Sequence, residues 1–497
     1  MIILAILIFS FCSFILVSAA VNPDGDNPDG DNAEAGICTI DDLNYCGQSK
    51  TDIYTLKATE DTQPYDIGVF YFSNWNPELS SYMIANIKNI YGRQDDMFGG
   101  IKETLLTPGL WGYGPIPDRE PLIGWYDDRQ QEVLDNHILM AASRGIDHFA
   151  FYYFWKEDGL APRPGQNVEN FKKSPYRHLM DFYIYFIADG AYNENHWRNN
   201  IVPKLIEFMK EPSYKKTKSE DPEMDGRPIM GLFGDMKSRL GGTEEKSKEN
   251  LQYLRDKCIE AGLKNPLLLV DGYRTLKTYI NQGYDGFLPL NLAGIGLDDN
   301  PEIPEDYASS YPDAWRDFVK TDFEGPDSSY ENYLFIPGGL NAFDLRPWKE
   351  VSADYSGIYF YADPSPGKFK EQLNNVKDYL DTHESSMNMA TFYAWNEWGE
   401  GGTIEPNTLF GYGYLDAIQE VFGLNNQNYK LTVKNEGLTD LAPDVRISVE
   451  PENSIVVEGQ DAVLKVRVKN YSDKSVAGKL SLSQPEKNAD GKDQVEW

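Results

Sequence analysis

Between Tyr65 and Trp395 the chain repeats one pattern eight times: a short, continuous apolar run, followed across most intervals by a longer amphipathic one. The runs are IGVFYF (67–72), HFAFYYF (148–154), FYIYFI (182–187), PIMGLF (228–233), PLLLV (266–270), GFLPL (286–290), YLFIP (333–337) and NMATFYAW (388–395). Strands that are apolar on every residue are covered on both faces, and parallel strands need helical crossovers between them. Helical spacing is clearest at 130–143, 245–262 and 368–382. The last begins behind Pro366 and Gly367 and carries Phe369, Leu373, Val376 and Leu380 three and four residues apart. Eight such strands with crossover helices predict an α/β fold, a (β/α)8 TIM barrel over residues 65–425.

That geometry decides where to look for a site. In a barrel of this kind the C-terminal strand ends and the loops behind them form the active face. The last run opens onto TFYAWNEWGEGGTIEPNTLFGYGYLD (391–416), which sets Glu397, Glu400 and Glu405 beside Trp395, Asn396 and Trp398 in a glycine-rich loop. Beyond the strand the chain need not alternate, so Glu397 and Glu400 can turn into one pocket. Other strand ends offer Tyr71 with Trp75, Tyr153 with Trp155, Asn193 with Glu194, and Asp344 with Arg346. Tyr71 and Tyr153 read first as core aromatics, because strand aromatics usually pack; Trp75 and Trp155 lie past strand ends and suit a sugar platform equally well.

The flanks read differently. Residues 1–17 are almost wholly apolar and are followed by Ser18, Ala19 and Ala20, the small residues of a signal-peptide cleavage site, so residues 1–20 predict a signal peptide and a secreted or extracytoplasmic protein. The leader carries no Lys or Arg, which leaves an uncleaved anchor as the alternative reading. Residues 21–64 form an acidic linker and N-terminal extension; the tandem NPDGDNPDGD lacks the closing Glu of a calcium loop. Cys38 and Cys46 could close a small loop in an oxidising compartment, whereas Cys258 sits in a helical pattern and reads as a buried small hydrophobe. From 429 to 497 apolar and polar residues alternate between turn signals, which predicts a small all-β, immunoglobulin-like sandwich, possibly incomplete, with an accessory role.

Charge narrows the partners. A formal net charge of -32 repels nucleic acid and anionic lipid, so neither is expected as a partner, nor is stable membrane insertion once the leader is cleaved. Five scattered His residues and ill-spaced Cys residues assemble no metal set; no metal and no cofactor is called for, and a monomer is expected. With 32 Tyr, 24 Phe and 10 Trp, the aromatic content suits a glycan-binding cleft as well as a large core. Two carboxylates held together in a water-restricted aromatic pocket acquire separated pKa values, so one can act as acid and the other as base or nucleophile, which is what glycosidic cleavage requires. The plainer alternative is that they are solvated loop charges.

The stretch WNEWGEGGTIEPNTLFGYGYLDAI (395–418) resembles the C-terminal signature of WbsX-type proteins and of the related glycoside hydrolase family 99. PLIGWYDDRQQEVLDNHILMAASRGIDHFAFYYFW (121–155) and IPGGLNAFDLRPW (336–348) agree with the WbsX-type pattern. The resemblance spans roughly 65–423 and implies a (β/α)8 barrel acting on α-linked, mannose-type glycans with retention of configuration. It further implies that Glu400 protonates the leaving oxygen and that Glu397 deprotonates the substrate's own 2-hydroxyl, which attacks the anomeric carbon to give an anhydro-sugar. Glu405 receives no role from it. The chain departs from its relatives at IADGAYNENHW (187–197) and at YFSNWN (71–76), which bear on the substrate. The expected function is therefore a secreted retaining glycoside hydrolase, endo-acting and α-mannosidase-like, with a glycan or polysaccharide substrate. The alternatives are a WbsX-type glycosyltransferase, disfavoured by the lack of a phosphate-binding loop, and a non-catalytic glycan-binding protein.

Overall fold

The computed structural model describes residues 16–21, 64–73, 75, 120–124, 126–156, 160–163, 166–187, 193–234, 236–239, 242–271, 276–293, 295, 305–321, 334–344, 360–383, 386–422, 445–451, 464–470 and 478–483. The chain divides into two compact units, residues 49–436, and residues 1–48 together with 437–497.

In the larger unit all eight apolar runs become strands: β1 (Asp66–Tyr71), β2 (His148–Phe154), β3 (Asp181–Ile187), β4 (Ile229–Phe233), β5 (Leu267–Val270), β6 (Gly286–Phe287), β7 (Leu334–Phe335) and β8 (Met389–Phe392). They form one parallel sheet in the order β8-β1-β2-β3-β4-β5-β6-β7. A helix follows each strand: α1 (Gln131–Ala142), α2 (Val168–Lys173), α3 (Val202–Met209), α4 (Glu244–Glu260), α5 (Leu276–Asn281), α6 (Tyr307–Val319), α7 (Pro366–Thr382) and α8 (Gly413–Phe422). Local chemistry sets the starts of the longest two. The Thr243 hydroxyl accepts the Lys246 amide ahead of α4, and the Ser365 hydroxyl accepts that of Lys368 ahead of α7, where Pro366 occupies the first turn.

The sheet curls until its edges meet. Beyond β7 the backbone runs on beside β8: the Thr391 amide donates to the Pro337 carbonyl (3.1 Å), the Tyr393 amide donates to that of Gly339 (2.9 Å), and Leu340 bridges Tyr393 in parallel. Only glycine fits at 338, because a Cβ there would lie 2.1 Å from the Thr391 carbonyl oxygen.

Alternation along each strand sorts side chains into an inner and an outer set. Outward residues meet helices: Phe392 packs on Phe369 of α7 and Phe422 of α8, and Tyr153 on Phe208 of α3. Inward, Phe70, Tyr152 and Tyr185 make edge and tilted contacts with ring centroids 4.8–6.1 Å apart. Gly231 on β4 makes the room, since a Cβ there would come within 2.2 Å of the Tyr185 ring. At the N-terminal end a polar cluster fills the interior: His148 bonds Asp66 (2.9 Å) and Thr391 (3.0 Å), Thr391 also bonds the Tyr183 hydroxyl (3.0 Å), and buried Lys215 pairs with Asp66. Burial opposes ionisation of Asp66, but Lys215 and His148 outweigh it and hold the carboxyl well below its usual range.

In the smaller unit, Val445–Pro451 pairs antiparallel with Leu464–Asn470, and Leu16–Val21 pairs antiparallel with Gly478–Ser483. The rest of the expected sandwich, the linker, most of the leader, and Cys38 and Cys46 lie outside the described residues. Cys258 is buried against Met209, and burial pushes its thiol up to about 12. Among the described residues no helix is long and apolar enough to cross a membrane.

Candidate active site

The chain leaves β8 at the C-terminal mouth and turns tightly. The Glu397 amide donates to the Gly402 carbonyl (2.9 Å), the Glu400 amide donates to the Glu397 carbonyl (3.0 Å), and Gly401 supplies the positive φ (78°) the turn needs. Three neighbours pin this turn. Asn396 uses its side-chain amide on both backbone groups of Phe72 at the end of β1 (2.9 and 3.0 Å), the Trp75 indole donates to the Asn396 carbonyl (2.7 Å), and the Asp344 amide donates to that of Glu400 (2.7 Å).

The two carboxylates end up close together, Glu397 buried at 6% exposed and Glu400 half-buried beside it. Burial, and then the charge of Glu400, push the Glu397 carboxyl well above its usual range. Burial also raises Glu400, partly offset by the Tyr393 hydroxyl, which donates to its Oε2 (2.5 Å). A single proton therefore suits the pair better than none.

Glu405 takes a separate place. Fully buried, its carboxylate meets His137 Nε2 of α1 (3.0 Å), accepts from the Tyr126 hydroxyl (2.8 Å) and accepts from the Trp398 indole (3.1 Å). This braces the tryptophan between Glu397 and Glu400 from behind.

The other sequence candidates divide by position. Tyr71 is on the outer, helix-facing side, bonded to His137 Nδ1 (2.8 Å) and accepting from Asn167 (2.9 Å). Tyr153 and Trp155 lie within 6.2 Å of each other, with Tyr153 against α3. Trp395 is buried against His137 and Phe149. Asn193 caps the short helix Glu194–His196 by accepting the His196 amide (2.9 Å), and Glu194 pairs with Arg198 one turn on. Asp344 is buried beside the Glu400 backbone; Arg346 lies outside the described residues.

One carboxylate at the mouth has no counterpart among the sequence candidates. Asp271 follows β5, accepts the Leu290 amide on Oδ1 (2.9 Å), and is pushed by burial up to about 6. Its charge bears on the inward phenols Tyr152 and Tyr185, and Tyr152 also feels Glu397 and Glu400. Among the described residues no three His, Cys, Asp or Glu side chains converge as metal ligands.

Fold and site together define an α/β protein with a curled parallel sheet and a carboxylate pair at its C-terminal mouth. Residues 116–418 match the profile of the family described as Glycosyltransferase WbsX, and the chain belongs to that family. Two relatives, each named "Uncharacterized protein WxcX", come from strains of Xanthomonas campestris pv. campestris. Each is 31% identical over 400 residues, covering 74% of this chain and 51% of the relative, so the chain spans about half the length of the curated relatives it matches. Among solved structures, a GH99 endo-α-mannosidase from Bacteroides thetaiotaomicron is similar at TM-score 0.44 and 15% identity, covering 75% of this chain and 99% of that one. One titled "Glycoside hydrolase-like protein" is similar at TM-score 0.45 and 12% identity, covering 73% and 95%.

Proposed function

We propose that this chain is a retaining glycoside hydrolase acting on α-linked, mannose-type glycans outside the cytoplasm. The observation that carries the proposal is the Glu397–Glu400 turn: a buried and a half-buried carboxylate sharing an environment that favours one proton between them. A glycosidase needs that division, one acid for the leaving oxygen and one base for the attacking group.

In the proposed cycle Glu400 gives its proton to the glycosidic oxygen as the bond to the anomeric carbon breaks. Glu397 takes the proton of the substrate 2-hydroxyl, whose oxygen closes onto that carbon. Glu400 then takes a proton from water as the water oxygen bonds to the anomeric carbon, the bond from that carbon to the 2-oxygen breaks, and Glu397 gives its proton back to the 2-oxygen, which restores both groups. The cycle needs the shared proton transferred to Glu400 before the glycosidic bond breaks. A ligand 2-hydroxyl that donates to Glu397 would stabilise its charged form and favour that transfer.

The test is digestion of a glycan panel by the wild type, Glu397→Gln and Glu400→Gln. Loss of cleavage in both variants is expected, with Glu400→Gln recovering on substrates whose leaving group needs no protonation. Cleavage that survives both substitutions would refute the proposal. Sugar transfer from a nucleotide donor would establish the transferase alternative. Secretion is tested by locating the processed N-terminus of the protein expressed in its own cells.

A further inference from the structure

We infer that Asp271, Tyr152 and Tyr185 form a sugar-binding subsite across the mouth from the Glu397–Glu400 turn, built for an uncharged sugar unit with free hydroxyls. The inference rests on reading that turn as a glycan-cleaving centre, and it adds the class of sugar that the centre accepts.

Two orphaned donors point to a ligand. The phenolic oxygens of Tyr152 and Tyr185 are buried, in residues 3% and 0% exposed, and neither has a hydrogen-bond partner among the described residues. A buried hydroxyl left unpaired costs about 1–3 kcal/mol, and few such groups persist in a native protein without a role. Both side chains project inward from adjacent strands, their ring centroids 5.8 Å apart. Burial and the nearby carboxylates push both phenols well above their usual range, so they stay protonated and remain donors.

The acceptor is Asp271. Its Oδ1 is occupied by the Leu290 amide, while Oδ2 has no hydrogen-bond partner among the described residues. The subsite thus offers two neutral donors and one carboxylate oxygen. A sugar hydroxyl both accepts and donates, so it can satisfy a phenol and Asp271 together. Where a uronate carboxylate or a sulfate group takes the place of such a hydroxyl, it brings acceptors only and would face Asp271 and the singly protonated Glu397–Glu400 pair, all of which bear on Tyr152. Such a ligand leaves Oδ2 unpaired and adds like charge in a site with little water.

Binding is measured separately from cleavage, on the full chain carrying Glu400→Gln. This protein is applied to an array of neutral, uronate-containing and sulfated oligosaccharides, with and without Asp271→Asn or Tyr185→Phe. The expected result is capture of neutral glycans in preference to anionic ones, weakened about tenfold by either near-isosteric substitution, with thermal melts showing each variant folded. Capture unchanged in both variants, stronger capture of anionic glycans, or no glycan captured would overturn the subsite. Capture of neutral glycans that the wild type does not cleave would sink the hydrolase reading and leave the subsite standing.

Discussion

Asp271→Asn should make the protein more stable, and only at pH values where the native aspartate is forced to ionise. An aspartate with an ordinary value of 3.8 that is pushed to about 6 on folding binds more protons folded than unfolded across that interval. Stability therefore falls as pH rises from about 4 through 6, and the cost is fully present above it. The difference corresponds to about 3 kcal/mol, which solvent at the open side of this half-buried group reduces to about 2 kcal/mol. Asparagine keeps the oxygen that accepts the Leu290 amide and never ionises, so it removes the cost alone. Urea unfolding of both proteins at pH 4 and pH 8 should give equal stability at the lower pH and a gain of about 2 kcal/mol for the variant at the higher. A gain of equal size at both values, or a loss at pH 8, would refute the burial argument. The gain would also carry a functional meaning, because stability withheld at a site is characteristic of groups kept for a ligand.

Other perturbations test the remaining supports. Tyr393→Phe removes the hydroxyl that stabilises the charged form of Glu400, so the Glu400 carboxyl should rise further and the alkaline limb of the pH–rate profile, set by loss of the acid's proton, should move upward, with little change in unfolding by urea. Lys215→Ala leaves Asp66 in the interior with His148 alone and should cost about 3–5 kcal/mol at neutral pH. Since Asp66 is held below its usual range, that loss should shrink as pH falls below about 4, where the unfolded-state carboxyl takes up its proton. Glu405→Ala should cost about 3 kcal/mol by leaving His137, Tyr126 and the Trp398 indole without their shared acceptor. Unchanged denaturation midpoints in either alanine variant would show these networks to be energetically idle.

The strands were legible because runs apolar on both faces have few other places to go. Their ends were less so: GFLPL and YLFIP contain Pro289 and Pro337, which cannot donate to a ladder, and β6 and β7 stop short of them. The same double-sided apolarity hid the phase of each strand. In HFAFYYF nothing local says whether Tyr152 or Tyr153 faces inward, and one residue of register reverses every side chain. Tyr153, which reads first as a core aromatic and second as a site candidate, packs on Phe208, while Tyr152 holds the interior position. Asn193 had a readable local signal, an Asn three residues ahead of the amide it caps, but the neighbouring Glu and Asn suggested a pocket instead. Asp271 carried no signal beyond ending a strand; its importance depends on Tyr152 and Tyr185, which come from other strands. The Glu397–Glu400 pair was visible because both members lie in one short loop.

The meeting of β7 and β8 also has a consequence for how the protein is made. The turn bearing Glu397 and Glu400 is tied to Phe72 by Asn396, across 324 positions of sequence, and its strand is held on its other side by the Pro337–Gly339 backbone. A ribosome releasing this chain from its N-terminus delivers seven strands before the eighth can join the first, and joining them closes a very long loop. The acid pair is thus assembled at the last seam of the ring. Chains halted before that seam forms would hold most of the sheet without the paired carboxylates, and a folded protein that loosens there would lose their arrangement before it unfolds.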